Sequence, residues 1–198
     1  MSTILLNQNF ACQIETIHIS LVNLLITEMT SVSQSNIRNC YGTAVYIKNE
    51  LNCCKIPYRC NLNNLEITGI MVLSQPIPNI HVIGIYCLKT KVAISQLIDA
   101  LTHLNIPYQL IEPTIPTALL GDFNIDLMQA NTCTEQRALT KYLVTDKGYT
   151  QLINQYTTDY RTLIDHVYTN VSQCVQSAGT LKSYYSDHKP VYISLKAN

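Results

Sequence analysis

Charge is scarce in this chain, and neither sign predominates. Only 13% of its 198 residues are charged, with 13 Lys and Arg against 13 Asp and Glu. That balance excludes a strongly basic nucleic-acid module, so any grip on a phosphate backbone must come from a local patch. Long hydrophobic runs are lacking as well. The longest, over 17–29, is interrupted by His18, Ser20, Asn23, Thr27 and Glu28, and is too short and too polar to span a bilayer. Residues 1–10 have neither a basic start nor a long apolar core, so no secretory leader is expected. Repeats, low-complexity tracts and linkers are missing too, and the chain reads as one domain over 1–198. The eight cysteines form no Cys-x-x-Cys pair, and no paired histidines follow at zinc spacing. They read as reduced, mostly buried thiols of an intracellular protein, nuclear or cytoplasmic. Asn170-Val171-Ser172 is a formal glycosylation sequon, taken as chance where no leader is expected.

What is present is a core. Hydrophobic residues make up 47% of the chain, which excludes a disordered one. Runs rich in Val, Ile, Leu, Tyr and Thr predict strands at 23–27, 43–48, 65–73, 80–86, 117–120, 163–168 and 190–195. Two segments carry helical spacing. Over 91–104, Ile94, Leu97, Ile98, Leu101 and Leu104 form one stripe. Over 134–147, Ala138, Leu139, Tyr142 and Leu143 cluster, with Gly148 placed to stop the helix. Many strands and few helices predict sheets packed face to face with helices outside.

Three polar bursts stand out near the C-terminus: Gly121-Asp122-Phe123-Asn124, Ile164-Asp165-His166 and Ser186-Asp187-His188-Lys189-Pro190. Each follows an apolar pair, namely Leu119-Leu120, Leu163-Ile164 and Tyr184-Tyr185. This pattern predicts strands ending at one rim, with polar side chains turned into a shared cleft. Asp122 and Asn124 are two apart, so an extended backbone would aim both the same way. His166 follows Asp165 directly and is expected on the opposite face. Carboxylates, an amide and a histidine on one rim suit oxygen ligation of a hard cation and attack by an activated water. His18, His81 and His103 have no partner at useful spacing and are not expected to be catalytic.

Taken in order, GDFNIDL at 121–127, LIDHVYTN at 163–170 and YYSDHKPVYISL at 184–195 resemble the last three motifs of the endonuclease/exonuclease/phosphatase superfamily, the deoxyribonuclease-I-like fold. Upstream, LLITEM at 24–29, GTAVYIKNEL at 42–51 and IPNIHVIGIY at 77–86 resemble endonucleases of LINE-type (non-LTR) retrotransposons. The resemblance covers about residues 21–198. It implies a four-layer α/β/β/α sandwich of two mostly antiparallel sheets. It also implies Mg²⁺-dependent phosphodiester hydrolysis that nicks DNA, with Mn²⁺ able to substitute. DNA would be the partner through its phosphate backbone, with no membrane and no obligate protein partner inferable. In the family such a domain usually precedes a reverse transcriptase.

The same resemblance assigns roles. His188 would be the general base and Asp165 the acid that fixes its tautomer. Asp122 would orient the water or leaving group, Asn124 would donate to a phosphate oxygen, and Tyr86 would assist the phosphate or leaving oxygen. Glu28 and Asp187 would hold the metal. Two other readings stand beside this one: a catalytically degenerate, non-enzymatic remnant, and a phosphatase or RNA nuclease of the same superfamily. The chain departs from the family pattern at Tyr86-Cys87-Leu88-Lys89, where Arg-Pro-Pro usually follows the tyrosine. It departs again ahead of Leu24, where the N-terminal strand and helix look shortened. Asn7 and Asn9 are the candidates for the family's N-terminal Asn, and the metal site is expected to be the weak point.

Overall fold

The computed structural model describes residues 2–7, 16–21, 29–34, 43–48, 52–56, 65–73, 79–88, 94–103, 115–129, 134–184 and 186–196. The strand predicted at 23–27, together with Asn9 and Glu28, lies outside them. Among the described residues two six-stranded sheets form the body. The first runs β11-β12-β2-β1-β4-β3, with β1 Ser2–Asn7, β2 Thr16–Leu21, β3 Met29–Gln34, β4 Thr43–Lys48, β11 Val175–Thr180 and β12 Val191–Lys196. The second runs β5-β6-β7-β8-β10-β9, with β5 Cys53–Ile56, β6 Leu65–Val72, β7 Ile80–Cys87, β8 Thr117–Asp122, β9 Thr150–Gln151 and β10 Asp165–Thr169. Each sheet is antiparallel apart from one parallel pairing, β1 with β4 and β7 with β8.

Side-chain alternation sorts the core into two layers. Val191, Ile193 and Leu195 of β12 meet Ile70, Val72, Val82, Ala118, Leu120 and Val167 between the sheets. The alternate residues, including Ile67, Ile83, Ile85, Leu119 and Tyr168, face outward beneath the helices. Because β7 and β8 are covered on both faces, they read as continuous apolar runs rather than as alternation. Helix α1, Ile94–His103, contributes Leu97 and Leu101 to this outer layer. Helix α2, Thr134–Thr140, contributes Leu139. The 134–147 helix is not uniform: after Thr140 it widens into a π-helical turn, Lys141–Asp146, that buries Leu143. Gly148 follows at φ +73°, the left-handed residue expected at a helix stop. The two-sheet sandwich predicted from sequence is the architecture found.

Candidate active site

Strand register builds the site. Asp122 ends β8, with Tyr86 of parallel β7 on one side and Asp165 of antiparallel β10 on the other. Glu66 of β6 lies opposite Tyr86. Glu66, Tyr86, Asp122 and Asp165 therefore form one row across four strands. Leu120 and Val167, each two residues from the row, sit in the core between the sheets. Residues two apart on a strand share a face, so the row opens at the mouth of the inter-sheet space.

A glycine makes the row tight. Gly121 has φ +155°, and a Cβ there would lie 1.8 Å from the carbonyl oxygen of Ile85. The register pairs Gly121 with Ile85, one step before Tyr86 and Asp122, so β7 and β8 are in close contact where the polar row begins.

His188 arrives on the loop before β12. Its Nδ1 lies 2.9 and 3.1 Å from the two carboxylate oxygens of Asp165. This fixes Nδ1–H as the donor and leaves Nε2 for a substrate. The loop is clasped by residues 157–162. Thr158 bridges to His188, the Lys189 N–H donates to the Thr157 carbonyl at 2.7 Å, and the Asp159 N–H donates to the Asp187 carbonyl at 3.0 Å. The buried Thr157 hydroxyl accepts the N–H groups of Ile164 and Asp165, each at 3.1 Å. One threonine thus ties the entry of β10 to the loop carrying His188.

Donor atoms of Asp122, Asp165 and His188 lie within 4.8 Å of one another. Their titration reflects that crowding. Burial pushes the Asp122 carboxyl up to about 7, with the neighbouring charge of Asp165 adding to it and the Asn124 N–H and His188 opposing. The hydrogen bond to Asp165 holds the His188 proton up to about 9, against partial burial, with charge from Asp165, Asp122 and Asp187 adding to it. A histidine titrating near 6.5, as a free base would, is therefore not what the fold presents: in the protein by itself the ring is protonated at neutrality. Two carboxylates side by side with one ionised only at a cost form an oxygen-rich seat that calls for positive charge, and this donor chemistry fits a hard divalent cation.

The other sequence-predicted residues are distributed as follows. Asn124 does not continue the strand. It lies beyond β8 at φ 51°, a left-handed conformation that asparagine tolerates, because its N–H turns back to Asp122 Oδ1 at 2.9 Å. Its side-chain Nδ2 donates to the Cys87 carbonyl at 2.6 Å, so the expectation that an extended backbone aligns it with Asp122 is corrected to a turn braced on β7. Asp187 is exposed beside His188. Asn7 closes β1. His166 faces away from Asp165, stacked on Phe123 at 4.7 Å and fully buried. Its Nε2–H donates to the Ile125 carbonyl at 2.8 Å, and burial lowers its pKa to about 4, so it is a neutral brace for the 123–126 loop. Sequence reasoning missed Thr157, Glu66 and Asp126. The Asp126 carboxylate accepts the N–H groups of Leu163 and Met128, joining the first motif to the second. Asp126 lies within the 121–127 motif without having been singled out, and Thr157 shows only as part of Thr157-Thr158-Asp159, a polar cluster that marks a turn.

Two layers of mostly antiparallel sheet with a polar row at their mouth define a deoxyribonuclease-I-like architecture, and solved structures agree. An endonuclease/exonuclease/phosphatase family protein from Bacteroides thetaiotaomicron is similar over 86% of this chain and 74% of its own, with TM-score 0.53 and 12% identity. The human Nocturnin catalytic domain with bound sulfate anion is similar over 86% of this chain and 73% of its own, with TM-score 0.56 and 16% identity. D. rerio TDP2 complexed with single strand DNA product is similar over 84% and 76%, with TM-score 0.56 and 9% identity. No protein-family model and no curated protein sequence matches the chain. At these identities the likeness is one of fold.

Proposed function

We propose that this chain is a metal-dependent phosphodiester hydrolase, and more narrowly a DNA-nicking endonuclease domain of LINE-type retrotransposon origin spanning 1–198. The observation that carries the proposal is the Asp165–His188 pair set against Asp122 and Tyr86 at the mouth of the sheets. The narrower assignment to a retrotransposon, with a reverse transcriptase as its usual companion, is supported by the motifs at 24–29, 42–51 and 77–86. DNA as substrate is supported by the TDP2 structure, whose bound product is single-strand DNA.

The chain's own residues divide the work. His188, protonated at rest, first meets the anionic phosphate through Nε2, and Asp165 keeps the ring oriented and its Nδ1 protonated. Release of the Nε2 proton to solvent frees that nitrogen to accept a proton from the attacking water, while Asp165 still holds Nδ1–H. Asp122 orients that water, and Tyr86 supports the phosphate or leaving oxygen. Asn124 retains one amide hydrogen for a phosphate oxygen while the other holds Cys87. Mg²⁺, with Glu28, Asp187 and Asp122 as its oxygen donors, would supply neutralisation of charge on phosphorus and on the leaving oxygen, and Mn²⁺ would substitute. The test is conversion of supercoiled plasmid to nicked circles as Mg²⁺ is raised. Nicking that disappears in Asp122→Ala supports the proposal. Intact plasmid at every metal concentration, or equal nicking by the variant, overturns it.

A further inference from the structure

We infer that the two loops holding His188 form a stacking platform, and that the strand cleaved is held unpaired, its bases lying on Tyr160 and Tyr184. This deepens the DNA-hydrolase reading above and rests on it. Among the described residues six large apolar side chains are exposed, and four of them, Tyr156, Tyr160, Leu181 and Tyr184, lie on these loops. Scattered exposed tyrosines need no explanation, whereas a cluster on the rim of a polar cleft does. Tyr160 is 78% exposed and Tyr184 83% exposed, so neither supports the fold by packing.

Tyr160 is fixed relative to the site by backbone. Tyr160 occupies a turn closed by the Arg161 N–H on the Thr158 carbonyl at 3.2 Å, and Thr158 is bridged to His188. Arg161 sits at φ 59°, a conformation unusual for a long side chain, at the end of that turn. Tyr184 is two residues before Ser186, whose hydroxyl accepts the His188 N–H at 3.1 Å. Arg161, Lys182 and Lys189 are the cations of these loops, set against the exposed Asp159 and Asp187. Exposed aromatic faces interleaved with cations are what an unpaired strand requires: stacking for bases of any sequence, and charge for the backbone between them. A duplex hides its base faces and offers the tyrosines nothing to stack on. The chain's zero net charge fits this reading, since stacking rather than a broad basic surface would supply the grip. Nicking of a duplex would then require local opening, which supercoiling provides.

The experiment measures fluorescence anisotropy of labelled DNA on the whole chain in EDTA, where binding is read without cleavage. The probes are an oligo-dT of about 12 nucleotides, a duplex of equal length and an abasic strand of equal length. The inference predicts that oligo-dT binds at least about tenfold more tightly than either comparison probe. Tyr160→Ala and Tyr184→Ala should each weaken oligo-dT binding by roughly 5- to 100-fold, while Tyr160→Phe and Tyr184→Phe stay within about twofold. Equal affinity for duplex or abasic strand, alanine variants within about twofold of the parent, or phenylalanine variants as weak as alanine would each overturn it. Because binding is measured without metal, loss of the platform and loss of nicking are separable. Preserved discrimination with no plasmid cleavage removes the hydrolase reading alone.

Discussion

Replacing Asp122 by Asn should make the metal-free protein more stable at pH 8, even though it removes the central carboxylate of the site. Asp122 is almost wholly buried beside Asp165, and its pKa is raised from 3.8 to about 7. The native state therefore binds more protons than the unfolded chain between these values, and stability falls as pH rises through that window. The contribution is fully present below about 4 and lost by the time pH passes about 7. At about 1.36 kcal/mol per unit the ceiling is about 4 kcal/mol at pH 8, and relaxation in a site of effective dielectric near 20 brings the expectation to about 1–2 kcal/mol. Asn keeps the oxygen that accepts the Asn124 N–H, so the turn survives. Urea unfolding in EDTA at pH 4.5 and pH 8 reads this directly. The variant should be more stable at pH 8, with the gap closing towards pH 4.5, and added Mg²⁺ should stabilise the parent more than the variant. A variant less stable than the parent at pH 8 without metal would refute the assignment of Asp122 as a strained, charge-demanding group.

Asp165→Asn should drop the His188 ring pKa from about 9 towards its ordinary 6.5 in an NMR titration without metal. The His188 contribution to stability is present below about 6.5 and lost as pH rises through about 9, so this variant should flatten that decline; an unmoved ring pKa would contradict the pairing. Gly121→Ala should cost about 3 kcal/mol or prevent folding, since its Cβ would fall on the Ile85 carbonyl, and a thermal midpoint close to the parent's would argue against that contact. Thr157→Val should cost about 1–3 kcal/mol by leaving the buried Asp165 N–H and the half-buried Ile164 N–H without an acceptor, whereas Thr157→Ser should recover most of it, both read by denaturant midpoints.

Much of the site was legible in sequence because strand endings are written locally. An apolar pair followed by Asp, or by Ser-Asp-His, names the residue at the rim, and register then brought Asp122, Asp165 and Tyr86 into one row. His166 was placed on the far face by alternation alone, and its stacking on Phe123 follows from that. Other strands were not read from the sequence, among them β2 (TIHISL), although Ile17, Ile19 and Leu21 alternate in it. β11 (VQSAGT) is half-exposed at a sheet edge, so burial wrote no pattern into it. β3 (MTSVSQ), also at an edge, is mostly small and polar. Nor could sequence show that Asn124 turns out of the strand, because its φ is set by a hydrogen bond to Asp122 and by the reach of its amide to Cys87. The raised His188 pKa was illegible for a similar reason, since it depends chiefly on the hydrogen bond to Asp165, which with Asp122 meets the ring only after folding.

The central claim is that Asp165 and His188 act as one unit in phosphodiester cleavage, and a double-mutant cycle tests it most directly. Single-turnover nicking of supercoiled plasmid in Mg²⁺ would be compared for the parent, Asp165→Asn, His188→Ala and the pair combined. The structure predicts that His188→Ala loses about 10²–10⁴-fold, that Asp165→Asn loses a large part of that, and that the double variant is little worse than His188→Ala alone. Losses that multiply, or a single variant that nicks as fast as the parent, would contradict it.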